Sequence, residues 1–287
     1  MILGSFYLIL LILLINFAGF SQSFNFNFSF GKFRDASSFY ISSAGFIYVT
    51  DTGSDEVYKL DTLGNLKKEI GGHGWDEESF DDPADVFATP LNVYVSDKNN
   101  HRIQRFDKDL NFISQLRSDE NTPLNEQFGY PLGCVTSTQG DMFILDSENK
   151  RIIKFDLFGN FIQNFGGYEA GAYTLNSPRK IAISPNNNIF VLDGNTIKIF
   201  DQFGNGMGSA EAGIDLNSLT IIFSSLTVNS RHEILSADLR NPELKFNKVM
   251  LQDSSPGSRG SPEILSTLIF NNKLYLLTSK EILVYTK

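Results

Sequence analysis

After residue 21, apolar positions in this chain fall mostly into short runs, five to seven residues long in the repeating unit and bounded by turn-forming residues, and none extends into a long helical period. Residues 80–117 show the unit. Phe80-Asp-Asp-Pro83 leads into Asp85-Val-Phe-Ala-Thr89, and a Pro-Leu-Asn turn leads to Leu91–Ser96. Lys98-Asn-Asn100 turns into His101–Phe106, and Asp107-Lys-Asp-Leu-Asn111 into Phe112–Leu116. That pattern predicts four strands. The inner two are apolar on both faces and so expected to be fully buried, whereas the third alternates. No segment after residue 21 predicts a helix of ten residues or more.

The unit repeats with a period of about 47 residues. Its second strand ends in Asp51, Asp97, Asp146 and Asp193, spaced by 46, 49 and 47 residues, and its third ends in Asp61, Asp107, Asp156 and Asp201. The following turns carry Gly64-Asn65, Asp109-Leu-Asn111, Gly159-Asn160 and Gly204-Asn205, residue types that tolerate the positive φ of a tight hairpin. Four-stranded antiparallel units at this period predict the blades of a β-propeller. Residues 22–287 accommodate six shortened blades, with a weaker pattern after residue 210. The last blade supplies only three strands, Ile264–Phe270, Lys273–Leu277 and Ile282–Tyr285. Phe24-Asn-Phe-Asn-Phe-Ser-Phe30 alternates strictly and is expected to pair outside Ile282–Tyr285 as the closing strand. The expected fold is thus all-β: a six-bladed propeller of four-stranded antiparallel blades, closed by an N-terminal strand added to the last.

The stretch Val93-Tyr-Val-Ser-Asp-Lys-Asn-Asn-His-Arg-Ile-Gln-Arg-Phe-Asp107 resembles an NHL repeat. Asp146-Ser-Glu-Asn-Lys-Arg-Ile-Ile-Lys-Phe-Asp156 keeps the signature, while Asp51–Asp61 and Asp193–Asp201 keep the frame but lose the His-Arg pair. The resemblance covers residues 33–210 and implies a six-bladed propeller. It is nearly silent on function, because that family includes RNA-binding, protein-binding and catalytic members.

Residues 1–31 hold no charged side chain, and Ile2–Ile15 is almost wholly apolar. Residues 1–21 therefore resemble a secretory signal, with Gly19 and Ser21 as the small residues before a cleavage at Gln22. An uncleaved anchor is the alternative, since the apolar stretch approaches the ~20 residues that span a bilayer. The single cysteine, Cys134, is expected to be a buried small hydrophobe. A secreted chain with no disulfide points to a bacterial periplasm or bacterial secretion.

Net charge is −9, and acidic residues cluster at Asp76-Glu-Glu78, Asp81-Asp82, Asp85, Asp119-Glu120 and Glu126. Such a surface repels a phosphate backbone, so no nucleic-acid partner is expected. Much of this acidity lies in the loops leading into each first strand, which a propeller places on one face with the turns between second and third strands. The same loops carry or adjoin His73, Trp75, Asp76, Tyr130, Tyr168 and Tyr173. Aromatic residues there suit sugar or peptide faces, or else fold back and cap the blades.

Asp51, Asp97, Asp146 and Asp193 recur once per blade, so they are read as structural acceptors of backbone N–H groups in the following turn. The resemblance also brings in zinc and calcium chemistry, through an NHL-like lyase with a zinc site and calcium-dependent lactonases built on six-bladed propellers. His73 and His101 map to the loop-bearing face, but His232 reads as the start of a second strand at the opposite end of its blade. The three histidines are not expected to converge on zinc. No cofactor is predicted, and no ligand set for calcium can be selected. The reading is a monomeric, secreted or periplasmic, non-catalytic binding or scaffold module for a protein or glycan. Membrane attachment enters only if residues 1–21 stay uncleaved. The alternative is a divalent-metal hydrolase or lactonase with its site at the central opening.

Overall fold

In the computed structural model, which describes residues 22–118, 120–252 and 262–287, the apolar runs are β-strands and the described residues contain one 3₁₀ turn, Gly171–Tyr173, as their only helix. Asp119 and the expected signal or anchor segment 1–21 lie outside the described residues. The first strand, β1 (Gln22–Phe30), precedes four regular sets. These are β2–β5 (Ala36–Ile41, Phe46–Asp51, Glu56–Asp61, Leu66–Gly71) and β6–β9 (Pro83–Ala88, Asn92–Asp97, Arg102–Asp107, Phe112–Arg117). Next come β10–β13 (Cys134–Thr136, Met142–Asp146, Arg151–Phe155, Phe161–Phe165) and β14–β17 (Pro178–Ile183, Ile189–Asp193, Thr196–Phe200, Gly206–Glu211). Each set is a separate four-stranded antiparallel sheet in sequence order. The chain continues through β18–β21 (Ser218–Ile222, Ser225–Asn229, Ile234–Asp238, Asn247–Gln252) and β22–β24 (Ser266–Phe270, Lys273–Leu277, Ile282–Thr286).

These last strands join β1 in one eight-stranded sheet of order β18-β19-β20-β21-β1-β24-β23-β22. β1 pairs antiparallel with β24 from Asn25↔Thr286 to Phe30↔Ile282, as the alternation of Phe24–Phe30 predicts. Its first residues also pair parallel with β21, Gln22↔Val249 to Asn25↔Gln252, which the sequence did not suggest. The architecture is therefore four separate small sheets plus one eight-stranded sheet in a propeller arrangement, rather than six separate sheets. The cause is the length of β1: nine residues reach past β24 to a second partner. Phe24 pins the junction, fully buried among Ile234, Val249, Leu274, Leu276 and Tyr285.

Two further expectations change. The third strands do not alternate: in β8 Arg102, Ile103, Gln104 and Phe106 are all buried, and the alternation falls on the outer strands β13 and β17 instead. Leu219–Val228, which reads as one apolar run, is a hairpin with Phe223 at its turn in the left-handed region (φ 52°). No glycine or asparagine marks that turn, so the sequence hides it.

The turns after the third strands share one bonding scheme. Asp61 Oδ1 accepts the N–H groups of Leu63 and Asn65, both at 2.9 Å, and its Oδ2 accepts the Asn65 amide at 2.8 Å. Asp107, Asp156 and Asp201 repeat this with Asn111, Asn160 and Asn205. Partial burial would raise the carboxyls of Asp61, Asp107 and Asp201, but the hydrogen bonds outweigh it and hold them below the usual carboxylate range. Asp156 is lowered chiefly by the Asn160 amide.

A carboxyl lowered on folding adds stability above its unfolded value of about 3.9, and that stability is lost as pH falls through the folded value. Thermal melts should therefore shift down steeply below about pH 4. The quadruple Asp→Asn variant at positions 61, 107, 156 and 201 should flatten the profile, and equal slopes for the two proteins would contradict this account.

Candidate functional site

The inner strands β2, β6, β10, β14, β18 and β22 supply the lining of a cavity of about 30 Å³, room for little more than one water. Asp85 and Lys180 form an ion pair across it at 3.0 Å. Ser38 Oγ donates to the same Asp85 oxygen at 2.5 Å, and Ser218 Oγ lies 3.0 Å from Ser266 Oγ. Tyr40 donates to the Ile221 carbonyl at 3.1 Å, and burial together with nearby Asp85 pushes its phenol well above the ordinary range. A calcium site needs six to eight oxygen ligands, several of them anionic. Here the carboxylate lining the cavity is already satisfied by an ammonium and a hydroxyl, so these residues do not fit a divalent cation.

At the loop-bearing face, the four repeat aspartates tie each sheet to its own leading loop. Asp51 accepts the N–H groups of Arg34 and Asp35 at 2.6 and 2.7 Å, and that of Gly53 at 2.9 Å. Asp97 accepts from Asp81, Asp146 from Gly129, and Asp193 from Asn176 and Ser177. Most of these donors lie 16–17 residues upstream, rather than only in the following turn as an Asx reading expects.

Three of the aspartates also hold a buried or half-buried cation five residues on: Arg102 at 2.7 Å, Arg151 at 3.1 Å and Lys198 at 2.8 Å. Arg102 is the most extensively bonded. Its guanidinium also donates to the carbonyls of Trp75, Asp76 and Ser79 and to Gln115 Oε1, all at 2.7–2.9 Å. The 75–79 loop is thereby fixed from beneath while the Trp75 ring stays 60% exposed. The sequence shows Arg102 as part of a motif, but its spread over one loop becomes visible only in three dimensions.

The six face candidates do not form one site. His73 is exposed, with Nδ1 3.2 Å from Asp55 Oδ2. Among the described residues, His73, Asp55 and Asp81 are the one group whose potential ligand atoms lie within 4.8 Å of one another. Each carboxylate already accepts a hydrogen bond, Asp55 from the Asp82 N–H and Asp81 from the Asn99 amide. Trp75 and Asp76 belong to the same loop. Tyr130 packs against His101 with ring centres 4.3 Å apart and planes tilted by 57°, and its N–H donates to His101 Nδ1 at 3.3 Å. His232 sits in the turn between β19 and β20, the same turn class as His101, which corrects its expected place at the opposite end. The misread hairpin before it is the reason.

Tyr168 and Tyr173 come together. They line a groove of about 660 Å³ between the β10–β13 and β14–β17 sheets. Phe165, Phe200 and Tyr173 build an aromatic base, with Phe200 5.2 Å from Phe165 and 5.8 Å from Tyr173. Gly206 is required here, because a Cβ at that position would stand 2.2 Å from the Tyr173 ring. Asn149, Arg151, Asn164, Glu169 and Asn205 offer polar groups around it. Tyr168 is 94% exposed.

No protein-family model matches the chain. Protein brain tumor of Drosophila melanogaster is 32% identical over 142 residues, covering 48% of this chain and 13% of that protein. The B-box type zinc finger protein ncl-1 of Caenorhabditis elegans is 29% identical over 141 residues, 48% of this chain and 16% of its own length. The matched region is thus a small part of each relative, and both are NHL-repeat proteins. A streptogramin B lyase structure superposes with a TM-score of 0.63 at 12% identity, over 90% of this chain and 96% of that one. The extracellular domain of BT4673 from B. thetaiotaomicron gives 0.54 at 13% identity, over 88% and 40%. These likenesses support an NHL-type β-propeller. At such identity the structural neighbours speak for the fold of the propeller and not for its chemistry.

Proposed function

We propose that this propeller is an exported binding module, free or membrane-anchored, that captures a glycan or protein in the groove beneath Tyr168 and performs no chemistry on it. In this reading the eight-stranded sheet is two blades sharing β1, which makes six in all. The observation that carries the proposal is the groove itself. Its volume of about 660 Å³ lies within the 300–1,000 Å³ typical of ligand sites. An almost fully exposed tyrosine beside an aromatic base, rimmed by asparagine, arginine and glutamate, suits a ligand with one flat apolar face and several hydroxyl or amide groups. The net charge of −9 disfavours nucleic acid. A metal hydrolase at the axis is disfavoured by the Asp85–Lys180 pair, because the carboxylate there is already neutralised by an ammonium.

Immobilised protein should capture ligands from glycan and peptide arrays, and Tyr168→Ala should weaken capture by about thirtyfold, a loss of about 2 kcal/mol at an aromatic anchor. Trp75→Ala, in a different loop, should leave a ligand confined to this groove unaffected. Capture that survives Tyr168→Ala but fails with Trp75→Ala would move the site to the 75–79 loop.

A further inference from the structure

A second surface lies on the side of the turns that join first to second and third to fourth strands. Gly45, in a turn of the first kind, approaches Thr62 in one of the second, and Gly140 approaches Leu157, so the two classes share a face. Turn tips are ordinarily polar. Here they present Leu63, Leu91, Leu157, Phe158, Phe203 and Phe223, each 54–80% exposed. Several carboxylates among them are held locally: Asp61 pairs with Lys67 at 2.9 Å, Asp109 with Lys59 and Lys108 at 2.6 Å, Asp141 with Lys154 at 2.8 Å and Asp238 with Arg240 at 2.6 Å, while Glu243 in the β20–β21 turn is exposed. Asp107, Asp156 and Asp201 are engaged by the N–H groups of their own turns.

The chain path names the occupant. Gln22 lines a cleft with Ser224 and Asn272, turn residues of this face, and with Lys287. The 21 residues that precede Gln22 hold no charged side chain. An uncharged, largely apolar segment therefore joins the propeller beside a ring of exposed leucine and phenylalanine tips.

We propose that this turn face rests on a lipid bilayer, its apolar tips seated in the headgroup–acyl boundary, with residues 1–21 retained as the anchor. The inference does not depend on ligand capture in the groove, although the β16–β17 turn borders both surfaces, with Asn205 on the groove and Phe203 at the tip. The basic side chains Lys67, Lys108 and Arg240 on this face are paired with carboxylates of the same turns, so a zwitterionic bilayer satisfies it and binding is apolar rather than electrostatic. The loop-bearing face then points away from the lipid.

Trp75, the only native tryptophan, lies in a loop of that other face and serves as an internal reference. The full chain is made by cell-free synthesis with phosphatidylcholine vesicles, and Phe158→Trp and Phe203→Trp variants are compared with the parent after flotation. Lipids brominated on their acyl chains should lower the added emission about twofold, because interfacial side chains sit about 5–10 Å into the boundary. Trp75 emission should not change, and flotation should persist in 1 M salt. Failure to float overturns the proposal. So does flotation without quenching at positions 158 and 203, which would mean a tethered propeller whose turn face stands free for a protein partner. Circular dichroism matching the parent confirms that each variant is folded.

Discussion

Deleting residues 22–30 should leave a protein that no longer melts cooperatively near the temperature of the intact chain. Among the described residues, these are what joins β21 to β24 in the sheet, pairing parallel with the first and antiparallel with the second. Removing them exposes both edges to water and to other chains. They also withdraw Phe24, which is fully buried in a cluster drawn from β20, β21, β23 and β24. The single change Phe24→Ala isolates the packing part of that loss. Truncating a buried phenylalanine costs about 3–5 kcal/mol. In a domain of this size that is roughly 6–20 °C of melting temperature. The deletion must exceed it, since the strand pairing goes as well, and aggregation through the two free edges is the expected companion. Differential scanning calorimetry of the parent, Phe24→Ala and the deletion should rank them in that order. A deletion that melts with the parent would mean that β1 closes nothing.

The strand pattern was legible because each run is short, apolar and flanked by turn chemistry. Residues 80–117 read as four strands and fold as β6–β9. The reading failed where a side chain contradicts its local role. Phe223 turns the chain without glycine or asparagine, and that alone misplaced His232. Parallel pairing of β1 with β21 leaves no mark in an alternating Phe-Asn run, because alternation states which face is buried and not how many neighbours a strand has.

The candidate site was less legible. Tyr168 and Tyr173 were visible as loop aromatics, but Phe165 and Phe200 look like ordinary strand residues and become a groove base only because adjacent sheets pack there. Asp85 reads as one acidic residue among many. Its ion pair with Lys180, 95 positions away, exists only once the inner strands are drawn around a common axis.

Arg102→Ala should be the most damaging single change at the loop-bearing face. The guanidinium is 2% exposed, and it is shared between one carboxylate, three carbonyls and a glutamine amide oxygen. Its loss leaves Asp97, itself fully buried, without its cation. Burial already pushes the Asp97 carboxyl above the usual range in spite of that partner. Breaking a buried pair from one side costs about 3–5 kcal/mol.

Arg151 offers a built-in comparison, since it holds Asp146 more loosely at 3.1 Å, reaches one leading-loop carbonyl, Gln127, and is 13% exposed. Arg151→Ala should therefore cost clearly less, and Arg102→Lys should recover only part of the loss because an ammonium cannot reproduce the planar fork. Urea titrations give the ranking. Limited proteolysis adds a local readout, because in Arg102→Ala the 75–79 loop loses its anchor and should be cut first, whereas in Arg151→Ala it should stay protected. Equal destabilisation by the two alanine variants, with no cleavage near Trp75, would show that the loop is held by packing and that the Arg102 fan of bonds contributes little.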